Sequence, residues 1–233
     1  MLHQSPNAAA LTNLVTSPDK GEVYLLSNAD GWSTATLQQF SIKFPASVIE
    51  AGKFHFLVLL RNGRVCSWGR GAATGHGGSA SSIPAPKIIK AFRHHRIVQI
   101  AAGSVHSLFL TSEGMFFSCG LNFYGQLCLA IKPGEYKTVP TRVDVEALFV
   151  ETERKRWIEA AAAAGGLTFH HPLTSSRAFE GGRDLYEALA KHAKHARVKA
   201  IAAKGDCSSV AFDDGTVFES MAQSQAAVVS SFL

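Results

Sequence analysis

No Cys-x-x-Cys pair occurs in this chain, and its cysteines are only four: Cys66, Cys119, Cys128 and Cys207. That excludes the common thiolate zinc knuckle and the dithiol redox motif. It leaves buried free thiols in a reducing compartment as the simplest reading. No apolar run approaches the roughly 18 residues of a membrane-spanning helix, so membrane insertion is not expected. Arginine is absent before Arg61, and residues 1–15 carry no basic leader ahead of their apolar stretch. A secretory signal is therefore not expected, and the expected location is cytoplasmic or nuclear. Charge is also scarce: 18% of residues are charged against 46% apolar, the balance of a globular chain rather than a disordered one. The formal charge of +5 permits an acidic partner without demanding one.

What the chain does have is a repeat. IEAGKFHFLVLLRNGRVCSWG, from Ile49 to Gly69, aligns without a gap on IAAGSVHSLFLTSEGMFFSCG, from Ile100 to Gly120. Gly52, His55, Gly63 and Gly69 fall on Gly103, His106, Gly114 and Gly120, each 51 residues on. A repeat marks one supersecondary unit that buries its apolar face only against its neighbours. Alternating apolar residues predict a strand from Phe56 to Leu60, an Asn-Gly hairpin turn at Arg61–Gly63, and a second strand from Arg64 to Trp68. The later copy repeats this around Ser112–Gly114, and residues 52–69 and 103–120 are each expected to form a hairpin. A Gly-rich loop follows each hairpin, and then a Pro-containing segment, IPAPKIIKAF or VPTRVDV, leads toward a further strand.

Weaker copies extend the pattern. Residues 201–218 match at an offset of 101, with Gly215 on Gly114 and Cys207 in the histidine position. The expected organisation is one repeat domain over 1–233. It has sharp repeats at about 48–95 and 96–145, degenerate ones at about 156–178 and 198–220, and a half-repeat at about 20–28. Leu185, Leu189 and Ala193 have helical spacing, which predicts a helical insertion near residues 180–196.

The order G-x-x-H, strand, x-G, strand, W-G or C-G, N-x-x-G-Q-L, then P-x-x-V resembles the regulator of chromosome condensation repeat. Trp68–Gly69, Asn122, Gly125–Gln126 and the paired Gly and His residues carry the resemblance. It implies an all-β fold in which units of about fifty residues form propeller blades, seven in the family. This length suits about four to five: a partial or small β-propeller, shortened and partly degenerate. An open arc would expose strand edges and invite self-association.

The candidate chemistry reads mostly as structure. His55 and His106 recur at matching positions, as a residue tying each blade to the next would; an acid/base or metal site is needed only once. Cys207 cannot make the same hydrogen bonds, which implies a looser blade. Gly69-Arg70-Gly71 with Gly75 follows a strand but precedes Pro84 and Pro86, so no helix N-terminus waits for a phosphate. His192 and His195 share a predicted helix face and read as solvated. No cofactor or metal is expected.

Basic residues gather before the strand that opens each unit: Lys90, Arg93 and Arg96; then Arg154, Lys155 and Arg156; then Lys194 and Arg197. A propeller would set these on one face, available to an acidic or chromatin surface. The residues just ahead of the histidine positions, Lys53-Phe54, Ser104-Val105 and Asp206, are the other candidate partner surface. The resemblance implies two activities: a guanine nucleotide exchange factor for a Ran-type small GTPase with chromatin association, or an interaction scaffold without exchange. Phe54 and Val105 suit an apolar contact, and Asp206 alone is acidic. The expectation is therefore a non-enzymatic protein-interaction scaffold, a subunit of a larger assembly, with exchange as the alternative.

Overall fold

The computed structural model describes residues 13–17, 22–28, 35–42, 44–78, 82–150 and 196–220. Fourteen strands among them form four antiparallel sheets. The first holds β1 (Asn13–Ser17), β2 (Glu22–Asn28) and β3 (Ala35–Ser41). The second holds β4 (Ala46–Ala51), β5 (His55–Leu60), β6 (Val65–Arg70) and β7 (Ser82–Ile88). The third holds β8 (Ile97–Ala102), β9 (His106–Thr111), β10 (Phe116–Leu121) and β11 (Tyr136–Arg142). The fourth holds β12 (Val198–Lys204), β13 (Cys207–Phe212) and β14 (Val217–Ser220). Each sheet is a meander with its strands in chain order, the pattern of a propeller blade.

The sheets stack because their strands alternate. Leu57 and Leu59 point toward the third sheet and join Ile100, Phe109 and Cys119 in one layer. Val58 and Leu60 point the other way, into a layer with Trp68 and Phe40. In the third sheet Leu108, Leu110 and Phe116 meet Ile201, Val210 and Phe212 of the fourth. Phe149, on a helix that begins at residue 145, closes that layer edge-on to Phe212 at 5.2 Å. Every residue of β9 is buried, so the third sheet is covered on both faces. The fourth is not: β13 alternates half-buried and buried residues. Its half-buried side carries Cys207, Ser209 and Ala211 where β9 carries His106, Leu108 and Leu110.

The Pro-containing segments are not leads into the next sheet. They are β7 and β11, the fourth strands of their own sheets. Proline is tolerated there because an edge strand leaves one row of N–H groups unpaired. The N-terminal sheet reaches from residue 13 to 41, around the half-repeat at 20–28. The degenerate repeat at 156–178, the basic triplet Arg154–Arg156 and the helical insertion near 180–196 lie outside the described residues, apart from Ala196.

Candidate functional site: two opposed faces of the blades

Antiparallel strands give the stack two ends, and the turns at each end have different chemistry. At one end lie the turns before β5, β9 and β13, with the long loops after β6 and β10; we call this the loop face. At the other lie the β5–β6, β9–β10 and β13–β14 turns and the connectors that open β8 and β12; this is the turn face.

The loop face is built on a repeated latch. His55 Nε2 lies 2.8 Å from Ser107 Oγ in the next sheet, and that hydroxyl donates to Ala73 O at 2.7 Å. His106 Nε2 lies 2.8 Å from Ser208 Oγ, which donates to Gln126 O at 2.7 Å. A hydroxyl has one proton, and here it goes to a carbonyl. Each serine oxygen must therefore accept from the imidazole, which fixes the Nε2–H tautomer. Both rings are fully buried, and neither Nδ1 has a partner. A second proton would have no acceptor. Burial, with a lesser repulsion from His106, holds the His55 pKa down to about 3. Burial holds His106 down to about 4, opposed by its hydrogen bond to the Cys207 backbone. These histidines stay neutral at ordinary pH and act as ties between sheets.

The glycine three residues earlier exists for the ring. A Cβ on Gly52 or Gly103 would overlap His55 or His106 Cε1. Gly69 and Gly120 have a different task. Both take φ beyond +100° at a bulge, where β6 and β10 pass over the turn ahead of the histidine. Their Cβ positions fall onto the carbonyl oxygens of Phe54 and Val105. Arg70 N–H and Leu121 N–H then donate to those same carbonyls, at 2.7 and 3.0 Å. The turns are also tied to each other: Lys53 N–H donates to Ser104 O at 3.1 Å, and Ser104 N–H to Gly205 O at 2.5 Å.

The longer loop is held from inside. Asn122 Oδ1 accepts from Leu127 N–H at 3.1 Å, Gln126 Oε1 accepts from Tyr124 N–H at 2.7 Å, and Ser118 Oγ donates to Leu127 O at 2.6 Å. Ser220 of the fourth sheet donates to Tyr124 O at 3.1 Å. The backbone of this loop is fixed while its aromatic rings face solvent: Phe123 is 50% exposed, Tyr124 51% and Tyr136 60%. Phe54 is 48% exposed on the same face, with Lys53 Nζ 5.2 Å from its ring centre.

The repeat residues of the sequence fall into four roles. His55, His106 and Gln126 lie buried at junctions between sheets. Gly52, Gly69, Gly103 and Gly120 lie where two backbones or a ring meet. Gly63, Gly114 and Gly215 occupy positive-φ turns on the turn face, and Gly125 a positive-φ position in the loop. Trp68 is buried between Phe56, stacked at 5.0 Å, and Phe40 at 5.6 Å.

The candidate partner residues do not form one surface. Lys53, Phe54, Ser104, Val105 and Asp206 are on the loop face, and only the first two are exposed. Arg93 and Arg96 are on the turn face. Sequence reading missed Ser107 and Ser208, which follow the histidine position 101 residues apart, and the adjacent pair Phe123-Tyr124 inside a Gly-rich loop. Among the described residues no group of three or more His, Cys, Asp or Glu is placed to hold a metal ion.

Residues 62–110 and 97–126 match the regulator of chromosome condensation (RCC1) repeat. Residues 62–126 carry RCC1 repeats. Mouse inhibitor of Bruton tyrosine kinase is 33% identical over 98 residues, 41% of this chain and 7% of that protein. Mouse protein RCC2 is 40% identical over 77 residues, 32% of this chain and 15% of that one. The chain thus spans a small part of the relatives it matches. The solved structure of Prp20p from Saccharomyces cerevisiae superposes with a TM-score of 0.53 over 91% of this chain and 46% of that one, at 16% identity. That likeness gives the fold: consecutive propeller blades.

Proposed function

We infer that this chain is a non-enzymatic protein-interaction module that docks a partner on its loop face. The observation that carries the reading is the set of exposed aromatics there, Phe54, Phe123, Tyr124 and, at the start of β11, Tyr136, with the backbone around Tyr124 already fixed. Rigid aromatic anchors lose little entropy on binding and dominate protein interfaces. The histidines beneath this face, His55 and His106, are buried and engaged between sheets. The inhibitor of Bruton tyrosine kinase, by its name, acts on a protein, which fits an interaction role.

Guanine nucleotide exchange is the second reading, favoured by the fold shared with Prp20p, a protein studied for its binding to Gsp1p and histones. Against it stands the loop face itself. The only acid in the three turns is Asp206, and it is half-buried.

The test is proximity labelling and affinity capture with the full chain, compared with Phe123→Ser/Tyr124→Ser. The expected result is a reproducible partner protein that the double variant loses while keeping its melting temperature. A partner retained at full strength by the double variant overturns the reading.

A further inference from the structure

The turn face carries no exposed phenyl, phenol or indole ring among the described residues, and its chemistry is cationic. The connector from β7 to β8 leaves beside Val65, where Ile89 N–H donates to Val65 O at 2.9 Å. It returns beside Gly63, where Ile97 N–H donates to Gly63 O at 2.9 Å. The stem of Arg96 lies on that glycine. Lys90, Arg93 and Arg96 are thereby folded back against Arg61 and Arg64 of the turn, and all five are exposed. No ion pair joins them to a carboxylate among the described residues. Arg93 Nε–H donates to His94 Nε2 at 2.8 Å, a ring nitrogen that accepts only when the imidazole is neutral.

A groove lies beside this cluster, between the third and fourth sheets, and adjoins it at Ser112, whose N–H donates to Arg96 O at 2.8 Å. Val98, Leu110 and Gly114 line it on one side, Arg197 and Lys199 on the other. Val98 is 47% exposed there. The acids on this face are partly engaged. Asp213 Oδ1 accepts the Arg197 N–H at 3.2 Å, and Asp214 accepts from both the N–H and the hydroxyl of Thr216. Glu113 also lines the groove, beside Gly114.

We propose that this groove and its arginine cluster bind an acidic peptide segment of a partner protein, with an aliphatic side chain seated on Val98. The argument for an anion is charge complementarity: five unpaired cations, with Arg197 and Lys199 along the same path. The argument for a peptide over a nucleic acid is the aliphatic lining between the cations. A phosphate backbone has nothing apolar to place there. The inference concerns the face opposite the aromatic loops and does not rest on the loop-face reading.

Fluorescence anisotropy with a labelled peptide of mixed Asp, Glu and Leu tests it, using the full chain at low and moderate salt. The expected result is saturable binding that weakens with salt, and about tenfold or more on Arg64→Glu/Arg93→Glu. Val98→Asp should weaken it similarly, and Phe123→Ser/Tyr124→Ser should leave it unchanged. The melting temperature of each variant separates lost binding from lost fold. Replacing Leu by Ser in the peptide should weaken binding. Equal binding of the Ser peptide, tighter binding of a DNA duplex of the same charge, or undiminished binding by the arginine variant overturns the proposal.

Discussion

His106 and Ser208 meet at 2.8 Å across 102 residues of sequence, and the same serine hands its proton to Gln126 O. Three segments that are far apart in the chain share one buried hydrogen-bond relay. His55, Ser107 and Ala73 make the same relay one sheet earlier. The relay therefore belongs to the junction between sheets and not to any single sheet.

Removing Ser208 takes the hydroxyl from both His106 Nε2 and Gln126 O, and removing His106 takes the ring N–H from Ser208 Oγ. His106→Ala and Ser208→Ala should each cost about 1–3 kcal/mol. Because both lie in one relay, the double variant should cost clearly less than the two single losses added together. Urea denaturation of the four proteins measures this, and strict additivity would mean the two side chains are not coupled.

Acid should loosen the stack, and the direction follows from the folded pKa values. His55 and His106 sit near 3 and 4 when folded, below the ordinary 6.5 that applies when the chain is unfolded. Between those limits the unfolded chain takes up protons that the folded one refuses. Stability is full above about pH 6.5 and should fall by up to about 1.4 kcal/mol per pH unit for each histidine as pH drops toward 4. Thermal melts from pH 7.5 to 5 should show this, and His106→Gln should have a shallower slope than the parent.

Glycines with similar backbone angles should differ in their tolerance. Gly120 has φ near 117° and would place a Cβ on Val105 O, whereas Gly114 at 78° would place one in open space. Gly114→Ala should cost about 1 kcal/mol of backbone strain. Gly120→Ala should cost more than about 3 kcal/mol or prevent folding. Similar melting temperatures for the two variants would contradict the crowding at Gly120.

The Gln99 side chain bridges two sheets by a different route. Its amide donates to Ile201 O at 2.8 Å and accepts from Ile201 N–H at 3.1 Å. Gln99→Leu should remove both bonds and cost about 1–3 kcal/mol. Amide hydrogen exchange should show faster exchange at Ile201 first. Unchanged protection there would mean the bridge does not form in solution.

Nucleotide release from a Ran-type GTPase should not be accelerated by this chain at micromolar concentration. Exchange needs tighter binding to the nucleotide-free form than to the loaded form. The turns ahead of the histidine positions offer a single acid for that task, the half-buried Asp206, beside exposed aromatic rings. A tenfold or greater acceleration, abolished by Asp206→Ala, would establish exchange instead.

The sequence alone determined what is local and periodic. Alternation from Phe56 to Leu60, Asn-Gly at 62–63 and the second copy 51 residues on dictate paired hairpins, because strand faces and turn angles depend on neighbours along the chain. The repeat also marked His55 and His106 as structural, since a tie is needed at each junction. It could not say what they tie to. Ser107, Ser208 and the carbonyls of Ala73 and Gln126 are unremarkable in sequence, and they become partners only when sheets stack. The Pro-containing segments misled for a related reason: proline forbids a central strand but permits an edge, and which strand is the edge is a property of the sheet. Tertiary structure also divided the candidate partner residues. Phe54 and Arg96 lie at opposite ends of antiparallel strands, and an interaction surface is a matter of distance in space, which residue spacing does not encode.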